Sequence, residues 1–321
     1  YTRSFEKGRR IWESGLTLGD MGTRRRFSFQ HHERVIDALI ASYEDVKQES
    51  KGQCGKFTGT SNVYLAMKYD IPCLGTMSHQ CISFEEIVSG VFECNYNVMN
   101  KWSEVYDGNV GIFLYDCFGD KVFFNNLSKR MAMTFCGLRI DSGVEEEQVD
   151  LIVEKYKQLG IDPMSKQAVF SNGLNIERAV EIHNYCKGKI TDSYGVGTFL
   201  TCDVTDCKPM NIVVKLIRGR ITESREWHPC VKLSCDKGKT LGDEDVICAQ
   251  DSDFSVYGKA LGLRKTKDGD ISGATSESSI SSQISYALKM CENATEQMST
   301  GVIAPTPIEK ECAYCKYKGL C

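Results

Sequence analysis

Apolar positions along the 321-residue chain follow two periods, one helical and one of short strands. From 33 to 51 they share one helical face (Val35, Ile36, Leu39, Ile40, Tyr43), and from 82 to 106 they do so again (Ile87, Val88, Val91, Phe92, Tyr96, Val98, Met99, Trp102). Short apolar runs over 111–115, 133–138, 168–171, 190–194, 210–217 and 231–234 read as buried strands. Helices are predicted over 121–131, 145–159 and 175–185, the last with Asn175 as its N-cap. Residues 1–20 show only a short amphipathic pattern. Strand and helix alternate from about 57 to 217, with polar, glycine-bearing loops after the strands. This pattern predicts an α/β protein, a parallel β/α barrel or an open doubly wound sheet, with its site at the strands' carboxyl ends.

Those loops carry the candidate chemistry. Gly59-Thr60-Ser61-Asn62 and Gly75-Thr76-Met77-Ser78-His79 bracket a short helical run and an apolar, strand-like run. Glycine permits close backbone approach, and the hydroxyls and amides that follow can hold a phosphate or carboxylate. His79, expected at a strand mouth, would meet what they hold; two ordinary turns and a surface histidine is the other reading. Met21-Gly22-Thr23 leads into Arg24-Arg25-Arg26, whose guanidinium groups suit bidentate anion contacts or form a solvated charge run. Asp116 stands at the end of the 111–115 strand, where such folds collect ligands. Arg139 and Asp141 alternate onto one side of the next strand end, either to hold a sugar phosphate with its magnesium or to pair with each other. Gly195-Val196-Gly197-Thr198 offers bare amides to a phosphate and is too short for a dinucleotide fingerprint.

Composition narrows the class. A net charge of −4 argues against a general nucleic-acid or membrane-surface binder. No apolar run approaches the ~18 residues that span a bilayer, and the opening YTRSFEKGRR has no apolar signal core. Sixteen cysteines, most of them scattered unevenly through α/β-type sequence, fit reduced cytosolic thiols better than disulfides, so a cytoplasmic location is expected. The residues alone thus describe an α/β enzyme handling a phosphorylated, anionic substrate.

Taken together, GTRRRFS (22–28), GTSN (59–62), GTMSH (75–79), GLRIDSG (137–143), LGIDPMSK (159–166), YGVGTFLTCD (194–203), NIVVKL (211–216) and KLSCDKGKT (232–240) resemble nicotinate phosphoribosyltransferase over about residues 1–245. The resemblance implies an incomplete parallel β/α barrel of the type II phosphoribosyltransferase kind. It implies that nicotinate and 5-phosphoribosyl 1-pyrophosphate give nicotinate mononucleotide and pyrophosphate, coupled to ATP hydrolysis through a phosphorylated His79. It further implies Mg2+, substrate anions held by Arg24 and Arg139, and substrate contacts from Thr60 and Ser61. Asp116 and Asp141 would face the ribose and magnesium–pyrophosphate, with Ser171, Gly197 and Thr198 at the 5-phosphate. A homodimer is left open, and so is a related quinolinate-using transferase, which the GTMSH block disfavours.

The chain departs from the family pattern at Met21, where an aromatic is usual, at Val144, where a carboxylate is lost, and over Cys117–Lys121. Almost none of the family's N-terminal region precedes the Gly-Thr-Arg block, so an impaired fragment that binds phosphate without turnover is the alternative expectation. From about Asp243 the chain instead resembles the end of the nuclease subunit of an AddAB-type helicase–nuclease, which makes residues 246–321 a helical, Cys-rich tail. There Cys312, Cys315 and Cys321 form C-x2-C-x5-C, which the resemblance assigns to a 4Fe-4S cluster, with a zinc site or free thiols as the competing readings.

Overall fold

The structure, a computed structural model, describes residues 1–108, 110–210, 213–216, 218–222 and 227–230, together with two short strands at 263–265 and 271–273. The chain divides into two compact units, Tyr1–Asp243 and Glu244–Cys321.

The first unit opens with elements that the weak pattern of residues 1–20 did not reveal: helix α1 (Thr2–Glu13) and strand β1 (Thr17–Asp20). Helix α2 (Phe29–Glu49) starts where Ser28 accepts a hydrogen bond from the His31 amide, and buries the stripe His32, Val35, Ile36, Leu39, Ser42 and Val46. Helices α1 and α2 meet at Gly8, where an added Cβ would lie 2.0 Å from the Ser42 hydroxyl. Trp12 donates to that same hydroxyl at 3.0 Å.

Strand β2 (Lys56–Thr60) and helix α3 (Val63–Tyr69) follow, and the strand-like run beyond them makes a single bridge, Thr60 to Cys73. His79 is therefore not at the mouth of a strand; it is the first residue of helix α4 (His79–Ser89). The long helix predicted over 82–106 is broken at Gly90, whose φ of 80° a side chain would disfavour, so α5 (Val91–Tyr106) is separate.

Strand β3 (Ile112–Leu114) leads to α6 (Asp120–Asn126) and α7 (Lys129–Thr134). Ser128 caps α7 by accepting from the Met131 amide, which splits the predicted 121–131 helix. Because α7 runs to Thr134, the strand predicted from 133 begins only at Gly137. Strand β4 (Gly137–Ile140), helix α8 (Glu145–Gln158), strand β5 (Gln167–Phe170), helix α9 (Ile176–Cys186) and strand β6 (Thr191–Val196) come next, as predicted to within a few residues. A short helix, α10 (Thr198–Thr201), follows directly. Residues 213–216 form no strand, contrary to expectation, and a small hairpin of β7 (Arg218–Gly219) and β8 (His228–Pro229) stands after them. The strand predicted over 231–234 lies outside the described residues. In the second unit, β9 (Leu263–Lys265) pairs antiparallel with β10 (Ile271–Gly273).

The six strands β1–β6 are all parallel, in the order β2-β1-β6-β5-β4-β3. Apart from β2 and β3, strands that are neighbours in sequence lie side by side, and β6 pairs with β1, which is the cyclic order of a barrel. Among the described residues no ladder joins β2 to β3, so the described strands form an incompletely closed barrel. Phe113, Leu138, Ala168, Phe170, Tyr194 and Leu18 are buried along the strands and form the core. A parallel arrangement turns every carboxyl end toward one rim, and that geometry gathers the polar loops.

Candidate active site

Each strand delivers one polar group to that rim. Asp20 ends β1, Thr60 ends β2, Asp116 lies two residues beyond β3, Asp141 one beyond β4, Ser171 one beyond β5, and Gly197-Thr198 follows β6. These loops are brought together from distant stretches of chain.

His79 and Asp116 form the buried centre. His79 Nε2 lies 3.1 Å from Asp116 Oδ1 and 3.8 Å from Asp141 Oδ2, with only 6% of His79 and 2% of Asp116 exposed. The Ser142 hydroxyl donates to Asp116 Oδ2 at 2.6 Å, so this carboxylate is fixed from two sides. Two carboxylates facing one nitrogen favour a proton on Nε2, which leaves the ring's lone pair on Nδ1.

Beside it lies a charged ring. Arg139 donates from Nη2 to Asp141 at 2.8 Å, from Nε to Ser171 at 2.8 Å and from Nη1 to Thr76 at 3.0 Å. Ser171 in turn donates to Asp141 Oδ1 at 2.6 Å. The two readings of Arg139 and Asp141 are thus compatible: the residues pair, and the pairing holds a planar guanidinium rigid. Of its five N–H groups, one on each terminal nitrogen is left over from these bonds. Burial pushes the Asp141 carboxyl up, but Arg139 and the Ser171 hydroxyl outweigh burial and neighbouring Asp116, so it lies below the usual carboxylate value. Asp120 goes the other way. Burial raises it, Gln148 donates to it at 2.9 Å, and Asp116 adds repulsion.

Arg24 is exposed at the same rim. Partial burial and then Arg25 lower its pKa from the ordinary arginine value, Asp141 opposes them and Arg139 adds to them. Arg24 therefore feels both members of the charged ring. Gly197 and Thr198 connect elsewhere: an added Cβ on Gly197 would lie 3.0 Å from the Met21 carbonyl, and the Met21 amide donates to Val196 at 2.8 Å. Thr60 is fully buried, its hydroxyl donating to Asp20 at 2.6 Å, while the Ser61 amide donates to the Asp20 carbonyl at 2.8 Å.

Thr76, whose hydroxyl the sequence offered as an anion donor, instead accepts from Arg139, while Asp20 and Ser142 were missed. Ser142 lies inside a block already singled out, and its hydroxyl was legible there. Asp20 was hidden because β1 was not foreseen. Cys312, Cys315 and Cys321 lie outside the described residues. Among the described residues, His79, Asp116 and Asp141 are the group whose ligand atoms, all within 4.8 Å of one another, could hold a metal ion. No helix among them is long and apolar enough to cross a membrane.

A family model, the nicotinate phosphoribosyltransferase (NAPRTase) family, matches residues 16–256. The nicotinate phosphoribosyltransferase of Desulforapulum autotrophicum is 40% identical over 234 residues, which cover 73% of this chain and 57% of that protein. That of Methanosarcina mazei is 37% identical over 245 residues, covering 75% and 56%. The crystal structure of nicotinate phosphoribosyltransferase from Porphyromonas gingivalis superposes with a TM-score of 0.70 at 38% identity, over 75% of this chain and 60% of that one. The chain thus spans less than two thirds of the length of these relatives.

Proposed function

The chain belongs to the nicotinate phosphoribosyltransferase family, and from that premise we propose that it joins nicotinate to 5-phosphoribosyl 1-pyrophosphate. The products are nicotinate mononucleotide and pyrophosphate, a step of NAD biosynthesis, and ATP hydrolysis is coupled through phosphorylation of His79. The observation that carries this reading is His79 itself, buried at the carboxyl-end rim with Nε2 against Asp116 and close to Asp141.

In the phosphoryl step, the Nδ1 lone pair bonds to the γ-phosphorus as the bond to ADP breaks. Positive charge then develops on the imidazole, and Asp116, steadied by Ser142, stabilises it through Nε2–H. In ribosyl transfer, the bond from C1 to pyrophosphate breaks as the pyridine nitrogen bonds to C1. The transition state resembles a ribosyl cation, so the protein's task is to hold anions on either side of the reacting carbon and exclude water. Arg139 and Arg24 supply the cationic clamps, and Ser171 with the Gly197-Thr198 turn supplies donors for the 5-phosphate.

The donor set suits magnesium through its two carboxylates, since hard oxygen ligands are what that ion prefers and imidazole is not. Asp116 and Asp141 would hold it, and it would neutralise charge on the pyrophosphate leaving group.

The test is conversion of nicotinate and phosphoribosyl pyrophosphate by the 321-residue chain, with and without ATP, beside a His79→Ala variant. Product formation that ATP stimulates, with stimulation absent in His79→Ala, is expected. A folded wild type that forms no nicotinate mononucleotide overturns the activity. Equal ATP stimulation in both proteins overturns the role of the histidine.

A further inference from the structure

Beneath the arginine loop lies a second histidine–aspartate pair that the proposed chemistry does not use. Asp20, His32 and Thr60 are all fully buried. Asp20 Oδ1 accepts from the Gly22 amide at 2.9 Å, while Oδ2 accepts from the Thr60 hydroxyl at 2.6 Å and contacts His32 Nε2 at 2.8 Å. The staple extends further. The Asn62 amide donates to Thr60 Oγ1 at 3.1 Å, and the Asn62 side chain donates to Thr23 Oγ1 at 3.2 Å. One sealed carboxylate therefore ties the Gly22-Thr23-Arg24 loop of β1 to the Gly59-Thr60 loop of β2.

A carboxylate without water keeps its geometry only if its donors are complete. Gly22 and Thr60 belong to the loops being held, so His32, projecting from α2, is the external anchor. Its other nitrogen, Nδ1, is buried with no hydrogen-bond partner among the described residues. An unpaired N–H there would cost more than an unpaired lone pair, so the proton lies on Nε2, toward Asp20.

We propose that His32 is a positioning residue that acts through Asp20 to aim the Arg24 loop at the anionic substrate. This rests on the proposed function only for the identity of the anion. His32 itself touches no substrate. Its loss lets the Arg24 loop shift and weakens anion binding, while the His79–Asp116 contact is unchanged.

The test measures binding of inorganic pyrophosphate, with magnesium, to the full chain by calorimetry, alongside steady-state kinetics and thermal melting. His32→Phe keeps a ring and removes the donor; it is expected to raise the pyrophosphate Kd and the KM for phosphoribosyl pyrophosphate about tenfold, with kcat within about twofold. His32→Gln returns an amide donor and is expected to recover most of the affinity. If His32→Phe does not fold, Thr60→Val carries the same expectation, because that buried hydroxyl donates to the same Asp20 oxygen that His32 contacts and belongs to the same staple. A folded His32→Phe with wild-type Kd overturns the inference, as does a loss confined to kcat. A wild type that binds no pyrophosphate instead overturns the phosphoribosyl reading, whatever the variants do.

Discussion

The two ends of the barrel hold the same chemical pair and use it differently. At the carboxyl-end rim His79 meets Asp116 at 3.1 Å; at the amino end of β6 His183 Nδ1 meets Asp192 at 2.8 Å. His79 is flanked by a second carboxylate, and Asp116 is bound by Ser142. His183 has one carboxylate and a partly exposed ring near the turn at Gly15. The amino end also buries Lys166, whose ammonium donates to the carbonyls of Met133 at 3.0 Å and Phe135 at 2.7 Å. Burial lowers the Lys166 pKa below its ordinary value, yet the ammonium's work is to satisfy carbonyls at the end of α7. Lys166, bonded to backbone carbonyls, ties an element down, whereas Arg139, bonded to side chains with an N–H left over on each terminal nitrogen, can also meet a ligand. The teaching is that a histidine–aspartate pair becomes a candidate centre only through its surroundings.

Three substitutions sharpen that contrast. The largest effect is expected from Asp116→Asn, which keeps the shape and removes the charge facing Nε2. ATP-stimulated turnover should fall by about 10²-fold or more, with little change in melting temperature. A fall below about threefold would mean that Asp116 only packs.

Arg139→Gln should come next. Its loss removes the rigid fork and should weaken pyrophosphate binding about tenfold. It should also raise the pH of acid unfolding. The folded Asp141 pKa lies below its unfolded value, so its stabilisation is complete above about pH 4 and is lost as pH falls through the depressed folded value. Without Arg139 that depression shrinks and the loss begins at higher pH. An acid midpoint identical to wild type, followed by circular dichroism, would contradict this account.

The smallest effect is expected from His183→Asn. Turnover should stay within about twofold, and stability should change by about 1 kcal/mol, the typical contribution of one hydrogen bond. A large loss of turnover here would erase the distinction between the two ends.

Much of the architecture is already written in the order of residues. Apolar periodicity located β3, β5, α8, α9 and most of α2, because a buried face needs a repeat that matches its element. The loop residues Asp116, Arg139 and Asp141 were legible at strand ends and His79 in its Gly-Thr-Met-Ser-His block, whereas Ser171 entered only through the family resemblance. Local sequence could not resolve the break at Gly90, where glycine's freedom ends one helix and starts another, nor the end of α7 at Thr134. Nor could it foresee that β1 closes against β6, a pairing between residues 18–20 and 194–196.

Strand pairing decided the rest. The β1–β2 pairing sets Asp20 beside Thr60, and the β1–β6 pairing brings the Met21–Arg24 loop against the end of β6. The chemistry of each loop is thus a property of the chain read locally. Which loops share a carboxylate is a property of strand order, because hydrogen bonds of 2.6–3.1 Å between distant residues exist only once the sheet has aligned them.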